Sequence, residues 1–332
     1  MEDRDLATTG PHGDPDEPAR ADPAEDTDAF VSLRPLLFSI AYQMTGSVGD
    51  SEDIVSEAYL RLHAAREQGR EIRNLKHYLA SAVTRMSIDH LRSARVVRER
   101  YPGPWLPEPL IDSTAVVDFD RVELSDTISM AFLVLLESLT PSERAVFLLR
   151  EVFEFGYPDV SAIVGKSEAN CRQLLRRAKQ QVDQGRPRFD ADLRERDELA
   201  SRFFTAIQEG NLDPLVEMLA EDVVMYGDGG GRGPSLPQPV NGRSKVFRLV
   251  EAFADAVATM HLQLEAVAVN GQPGVLARTV DGRLLNVLTV DIYDGRIQTV
   301  RSVINADKLQ HLGPLLNSVE TKGGTTRRRS RG

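Results

Sequence analysis

From about Ala29 to Arg100, apolar residues recur at the three- and four-residue spacing of helices, with no strand-like alternation. Ile54, Ala58 and Leu62 share one side of a helix spanning Asp50–Leu62 that opens on acidic residues, where negative charge suits the helix dipole. Leu75, Leu79, Ala82 and Met86 form a second apolar stripe within Asn74–Arg98. Tyr101–Asp118 breaks the pattern with four prolines and the sole tryptophan, which predicts a linker. Helical spacing resumes from about Asp120 to Gln184, and Gln184–Pro187 interrupts it again.

Beyond that break the pattern changes. Two helical stretches, about Arg194–Glu209 and Arg243–Ala258, are followed by β-branched runs separated by Asn270-Gly271, Asp281-Gly282 and Asp294-Gly295. Such pairs favour type I′ turns, whose two central residues need positive φ, so the spacing predicts a four-stranded antiparallel meander in an α+β domain.

The sharpest local signal is Leu139–Val182. Thr140-Pro141-Ser142-Glu143 carries a cap, a first-position proline and a reciprocal glutamate. The helix it opens runs to about Glu154, a short helix Tyr157–Val164 ends at Gly165, and Ser167 caps a third from Glu168 to Val182. Cys171, Leu174, Leu175, Ala178 and Val182 form the third helix's packing face, while Arg172, Gln173, Arg176, Arg177 and Lys179 point elsewhere. A lone basic helix is commonly a solvated face. With the short helix and tight turn before it, this one predicts a helix-turn-helix whose Ser167, Glu168, Asn170 and basic residues meet DNA. In the first block, Arg85, Arg92 and Arg95 align on one face and Arg98 follows, a stripe suited to a phosphate backbone. His77, Tyr78 and His90 either stack on unpaired bases or simply pack.

Composition adjusts this picture in three places. The net charge of −10 argues against nucleic-acid binding until its distribution is considered. Residues 1–28 hold ten acidic side chains against two arginines, whereas cations concentrate at 70–100, 172–188 and 322–331. Both termini, 1–28 and 316–332, therefore read as disordered tails, acidic and basic respectively. The one cysteine, Cys171, excludes an intrachain disulfide and fits a reducing, cytoplasmic compartment as a small core residue. The longest apolar run, Met130–Leu136, is far too short to span a membrane.

These motifs resemble the extracytoplasmic-function sigma factors. Asp50–Leu62 is similar to region 2.2, which implies that Asp50, Glu52, Asp53, Glu57 and Arg61 face the β′ clamp helices of core RNA polymerase. Asn74–Arg98, with Ile88-Asp89-His90-Leu91-Arg92, resembles regions 2.3 and 2.4, readers of the minus-10 element. Leu139–Val182 resembles region 4, reader of the minus-35 element and partner of the β flap. The last block resembles a SnoaL-like cone. A subgroup carrying that extension shares three motifs, matched here by Trp105-Leu106-Pro107-Glu108-Pro109, Asp228-Gly229-Gly230-Gly231-Arg232 and Asn305-Ala306-Asp307-Lys308-Leu309, with Ala306 where proline is usual. The architecture implied is two all-α sigma domains (29–100 and 120–184, the second a helix-turn-helix) joined by a 101–119 linker. A SnoaL-like α+β domain with a curved antiparallel sheet follows at 190–315.

The motifs are expected to tie the last domain to the linker and regulate the sigma domains in cis. Trp105 would offer apolar surface, Gly229–Gly231 close backbone approach, and Asp307 and Lys308 polar contacts at the rim. No obligatory anti-sigma protein, cofactor, metal site or catalytic residue is expected. Asp222, Asp228, His261 and Asp291 are catalytic candidates by residue type only, since no spacing pairs them. Three alternatives stay open: catalysis in the SnoaL-like domain, since folds of that kind include cyclases and isomerases; small-ligand sensing in its pocket; and a one-component repressor or activator that never meets polymerase.

Overall fold

The computed structural model describes residues 23–98, 101–111, 128–185, 193–231 and 236–316. The first three helices are α1 (Pro23–Thr45), α2 (Val48–Glu67) and α3 (Leu75–Arg98). Helix α1 begins inside the span expected to be a disordered tail. Asp26 explains this, because its carboxylate is buried and accepts two bonds from the Arg66 guanidinium of α2, at 2.8 and 3.0 Å. Residues 1–22, and the basic tail from 317 onward, lie outside the described residues.

The second helical block comprises α4 (Met130–Leu136), α5 (Pro141–Phe147), α6 (Tyr157–Val164) and α7 (Glu168–Gly185). The capping box forms as the sequence predicts, with Thr140 N–H donating to Glu143 at 3.1 Å and Glu143 N–H to Thr140 Oγ1 at 3.3 Å. Helix α5 itself ends at Phe147, but the helical run continues close to the expected Glu154. It widens into a π turn at Leu148–Val152 and stops at Glu154, whose φ is +56°. Gly165 ends α6 in the left-handed region. The two helical blocks share one continuous core, in which Leu37, Phe38, Leu79 and Val83 join Leu148, Val160, Cys171 and Ala178. Buried Arg144 crosses between them, donating to Leu136 O, Met44 O and Glu137.

The C-terminal domain begins with α8 (Leu193–Glu209) and the short α9 (Leu215–Met218). Strands β1 (Leu219–Asp228) and β2 (Val240–Asn241), helix α10 (Arg243–Thr259), and β3 (Gln263–Val269), β4 (Gln272–Arg278), β5 (Leu284–Tyr293) and β6 (Arg296–Val303) complete it. The predicted meander is β3–β6, but the sheet has six strands in the order β2-β1-β6-β5-β4-β3, with β1 parallel to β6. Asn270-Gly271 and Asp294-Gly295 adopt the expected positive φ pairs. Asp281-Gly282 does not, because the strands are joined there by a longer loop closed by Thr279 and Arg283.

Each face of the sheet buries a separate apolar cluster. Val275, Leu288, Val290 and Val300 meet Phe203, Phe204 and Ile207 of α8 on one face. Leu276, Val287 and Val303 meet Leu106, Ile111 and Met130 on the other. The second face is therefore where the linker and the head of the second helical block dock.

Candidate functional site

The linker is a strap rather than a spacer. Glu108 accepts at one carboxylate oxygen from Val48 N at 2.7 Å and Gly49 N at 3.3 Å, covering donors at the N-terminus of α2 that the helix cannot satisfy itself. Its own N–H donates to Gly46 O, and its carbonyl accepts from the Tyr42 hydroxyl at 2.7 Å. Leu106 is buried on the C-terminal domain, and its N–H donates to Asp228 at 3.0 Å. Two residues apart in an extended chain, Leu106 and Glu108 thus hold different domains.

Asp228 and Lys308 form the centre of the linker site. Their side chains are 0% and 4% exposed and pair at 2.7 Å. The Lys308 ammonium also donates to Leu106 O and lies 3.4 Å from the Trp105 ring centroid, so the cation is enclosed by a carboxylate, a carbonyl and an aromatic face. Asp228 further accepts from the Tyr101 hydroxyl and from Gly230 N. Burial and the adjacent carboxylate push the Tyr101 pKa well above that of an ordinary tyrosine, which keeps its hydroxyl a donor. Asn305 donates to Tyr101 at 2.8 Å and caps the turn Ala306–Lys308 by accepting from Asp307 N at 3.1 Å. Gly230 (φ +62°) sits so close to Asn305 that a Cβ would lie 2.6 Å from its side chain, the close approach expected of that glycine.

The three shared motifs thus converge, with two departures from expectation. Lys308 is buried rather than at a rim, and Asp307 is exposed. Pro107, Pro109 and Leu309 are buried, Gly229 is buried and Gly231 exposed, and Arg232 lies outside the described residues.

The residues expected to meet nucleic acid divide. Ser167, Asn170, Arg172, Gln173, Arg176, Arg177 and Lys179 are exposed on and before α7, with Glu168 half-buried, while Cys171, Leu175, Ala178 and Val182 are buried. Arg172 pairs with Glu168 and lies over the Tyr157 ring, and Lys179 pairs with Glu151 at 2.6 Å. Arg85, expected on a phosphate, is engaged within the fold in this arrangement. Its guanidinium donates to Ile163 O at 2.9 Å and Ala162 O at 2.7 Å, the carbonyl end of α6, where a cation also suits the helix dipole. Arg92 is exposed beside Asp89, and the side chains of Arg95 and Arg98 lie outside the described ones. His77 and His90 pack: His77 pairs with Asp159 of α6, and His90 with Asp50 at the head of α2.

On α2 that contact and the Arg34–Glu52 pair draw two acidic residues inward. Asp53 and Glu57 stay exposed beside Arg61 and an unusually bare Leu60. Of the residues considered for catalysis, Asp228 is bound as above and Asp291 is buried against Arg301 at 2.6 Å, while Asp222 and His261 are exposed. A groove of about 450 Å³ lies between α8 and β3–β4, bordered by Ala200, Phe204, Gln208, Ala266 and Val275. No group of three metal-binding side chains and no helix able to cross a membrane occurs among the described residues.

Comparison with known proteins agrees with this geometry. Family models for sigma-70 region 2, sigma-70 region 4 and the SnoaL-like domain match residues 29–96, 129–182 and 200–304. The chain is 33% identical over 295 residues to the ECF RNA polymerase sigma factor SigJ of Mycobacterium tuberculosis, covering 85% of this chain and 93% of that one. It is 31% identical to the probable ECF sigma factor SigI of the same species, covering 86% and 94%. The crystal structure of SigJ superimposes with a TM-score of 0.68 at 30% identity, covering 86% of this chain and 98% of that one. With both sigma regions in order and the domain fastened to their linker, the chain belongs to the extracytoplasmic-function RNA polymerase sigma factors that carry a C-terminal SnoaL-like domain.

Proposed function

We propose that the C-terminal domain controls this sigma factor in cis by holding regions 2 and 4 in a closed arrangement. The buried Asp228–Lys308 pair on the linker carries this reading. DNA geometry supports it. Elements centred near −35 and −10 lie some 25 base pairs apart, roughly 80 Å of duplex. Yet α3 and α6 touch through Arg85 and His77, and Arg144 joins the two blocks. Reading both elements at once requires these contacts to part, freeing Arg85 for phosphate. Asp50, Glu52, Asp53, Glu57 and Arg61 present the polymerase-docking helix, and control from within the chain takes the place of a separate anti-sigma protein. This reading assigns the chain no catalytic step; it is supported by Asp228 and Asp291, each tied to a cation.

Reconstitution with core polymerase tests the control. Deleting residues 190–332 is expected to change promoter binding and transcription at least about fivefold, the effect of roughly one kcal/mol of lost coupling. Unchanged transcription would sink the reading. On the DNA face, Arg176→Ala with Arg177→Ala is expected to lower promoter affinity across sequences and flatten its salt dependence by about one unit of log–log slope per lost phosphate contact. An unaltered slope would place the contact elsewhere.

A second reading, small-ligand sensing, is favoured by the α8–β4 groove. It would be expressed as a ligand-induced rise in melting temperature without turnover.

A further inference from the structure

Asn270 occupies the tip of the β3–β4 hairpin, with φ +52°, and its side chain is fully buried. A turn residue of this kind ordinarily points its amide to water. Here Oδ1 accepts from Leu110 N at 2.9 Å, while Nδ2 donates to the Tyr42 hydroxyl at 2.7 Å and to Ile128 O at 2.9 Å. Its backbone N–H donates to Leu110 O at 2.7 Å, and the adjoining Val269 pairs with Ile111 as a short antiparallel bridge. Both side-chain hydrogens and one oxygen lone pair are used. The amide orientation is fixed, since Leu110 N can only donate and Ile128 O can only accept.

The partners come from three different parts of the chain. Tyr42 belongs to α1 of region 2, Leu110 to the linker, and Ile128 precedes the Ser129 cap of α4 at the head of region 4. Met130 then packs with Val269 and Ile111, while Leu133 and Leu136 enter the helical core, so α4 bridges the two. The Tyr42 hydroxyl passes the chain on to Glu108 O, linking this point to the cap of α2. Nothing here involves Asp228 or Lys308.

We propose that Asn270 is a positioning residue that pins region 2, the linker and the head of region 4 at one point and thereby sustains the closed arrangement, independently of the Asp228–Lys308 pair. This rests on the reading of control in cis. Asparagine suits both duties: it tolerates positive φ, as the turn demands, and its amide offers donor and acceptor together.

The test uses the full-length chain. Asn270→Gly keeps the backbone conformation and removes the amide. Asn270→Asp keeps the turn and the acceptor for Leu110 but loses both donors. Tyr42→Phe deletes one hydroxyl, and serves should the others fold poorly. Distances between labels at the exposed positions 93 and 180, which lie outside the proposed DNA contacts, are measured in a Cys171→Ala background, and transcription with core polymerase is followed on the unlabelled variants. All three variants are expected to broaden the distance distribution and raise transcription about fivefold or more, with Asn270→Asp resembling Asn270→Gly. Trp105 emission, which reports the other contact, is expected to stay as in the parent. Asp228→Asn serves as the comparator. If it alters transcription while folded Asn270 and Tyr42 variants leave distances and transcription unchanged, the pin is overturned and control in cis survives. If none of the variants alters transcription, both fall.

Discussion

Asp228→Asn is expected to detach the linker from the C-terminal domain. The substitution keeps the side chain's volume and one acceptor oxygen, and removes the charge. Lys308, buried beside it, is then left with Leu106 O and the faces of Trp105 and Tyr101. Breaking a buried ion pair from one side costs roughly 3–5 kcal/mol, because the other charge stays in place without compensation. That is a large part of the roughly 5–15 kcal/mol that holds a typical domain folded. The loss should fall first on the strap, with Trp105 emission moving to the red and the Leu106 amide exchanging faster, before the sheet melts. Lys308→Met should act in the same direction. The double variant should be less destabilised than the sum of the two, by at least about 1 kcal/mol, since the surviving partner is the main cost in each single variant. Unaltered Trp105 emission in Asp228→Asn, or strict additivity, would show that the pair does not secure the linker.

The same site shows why some of the molecule was legible in sequence and some was not. Thr140-Pro141-Ser142-Glu143 and Gly165 speak through local chemistry, a cap and a left-handed stop, and the structure reproduces them. The buried and exposed faces of α7 follow from period alone. Long-range pairing does not. Nothing in Leu219–Asp228 announces that β1 lies parallel to β6, and the loop at Asp281-Gly282 depends on Thr279 and Arg283 rather than on the turn pair. Partnerships between domains were hidden for a further reason: each residue already had a sufficient local explanation. Asn270 reads fully as a turn residue, and Arg85 as one of a basic row. Asp26 belonged to an acidic tail by composition until Arg66 claimed it. In sequence Lys308 is a polar residue and so peripheral, because only the fold brings Asp228 and Trp105 around it.

Region 2 supplies the other large effect. On α2, Ile54, Val55, Ala58 and Leu62 are buried, and Asp50 and Glu52 are engaged by His90 and Arg34. That leaves Asp53 and Glu57 as the exposed acidic residues on a face shared with Leu60, 61% exposed, and with Arg61, which pairs with Glu57 at 2.8 Å. Asp53→Lys with Glu57→Lys is therefore expected to leave the melting temperature nearly unchanged, since exposed substitutions away from such features stay within about 0.5 kcal/mol. Binding to core polymerase should nevertheless fall about a hundredfold, as two reversed contacts at roughly 1.4 kcal/mol each would give. Promoter-independent DNA binding, assigned to α7 in the proposed reading, should persist or rise slightly with the added positive charge. Reversing Glu52 instead should lower stability through its lost pair with Arg34, with a smaller effect on polymerase binding. Polymerase affinity that survives the Asp53 and Glu57 reversal would move the docking surface off this face of α2.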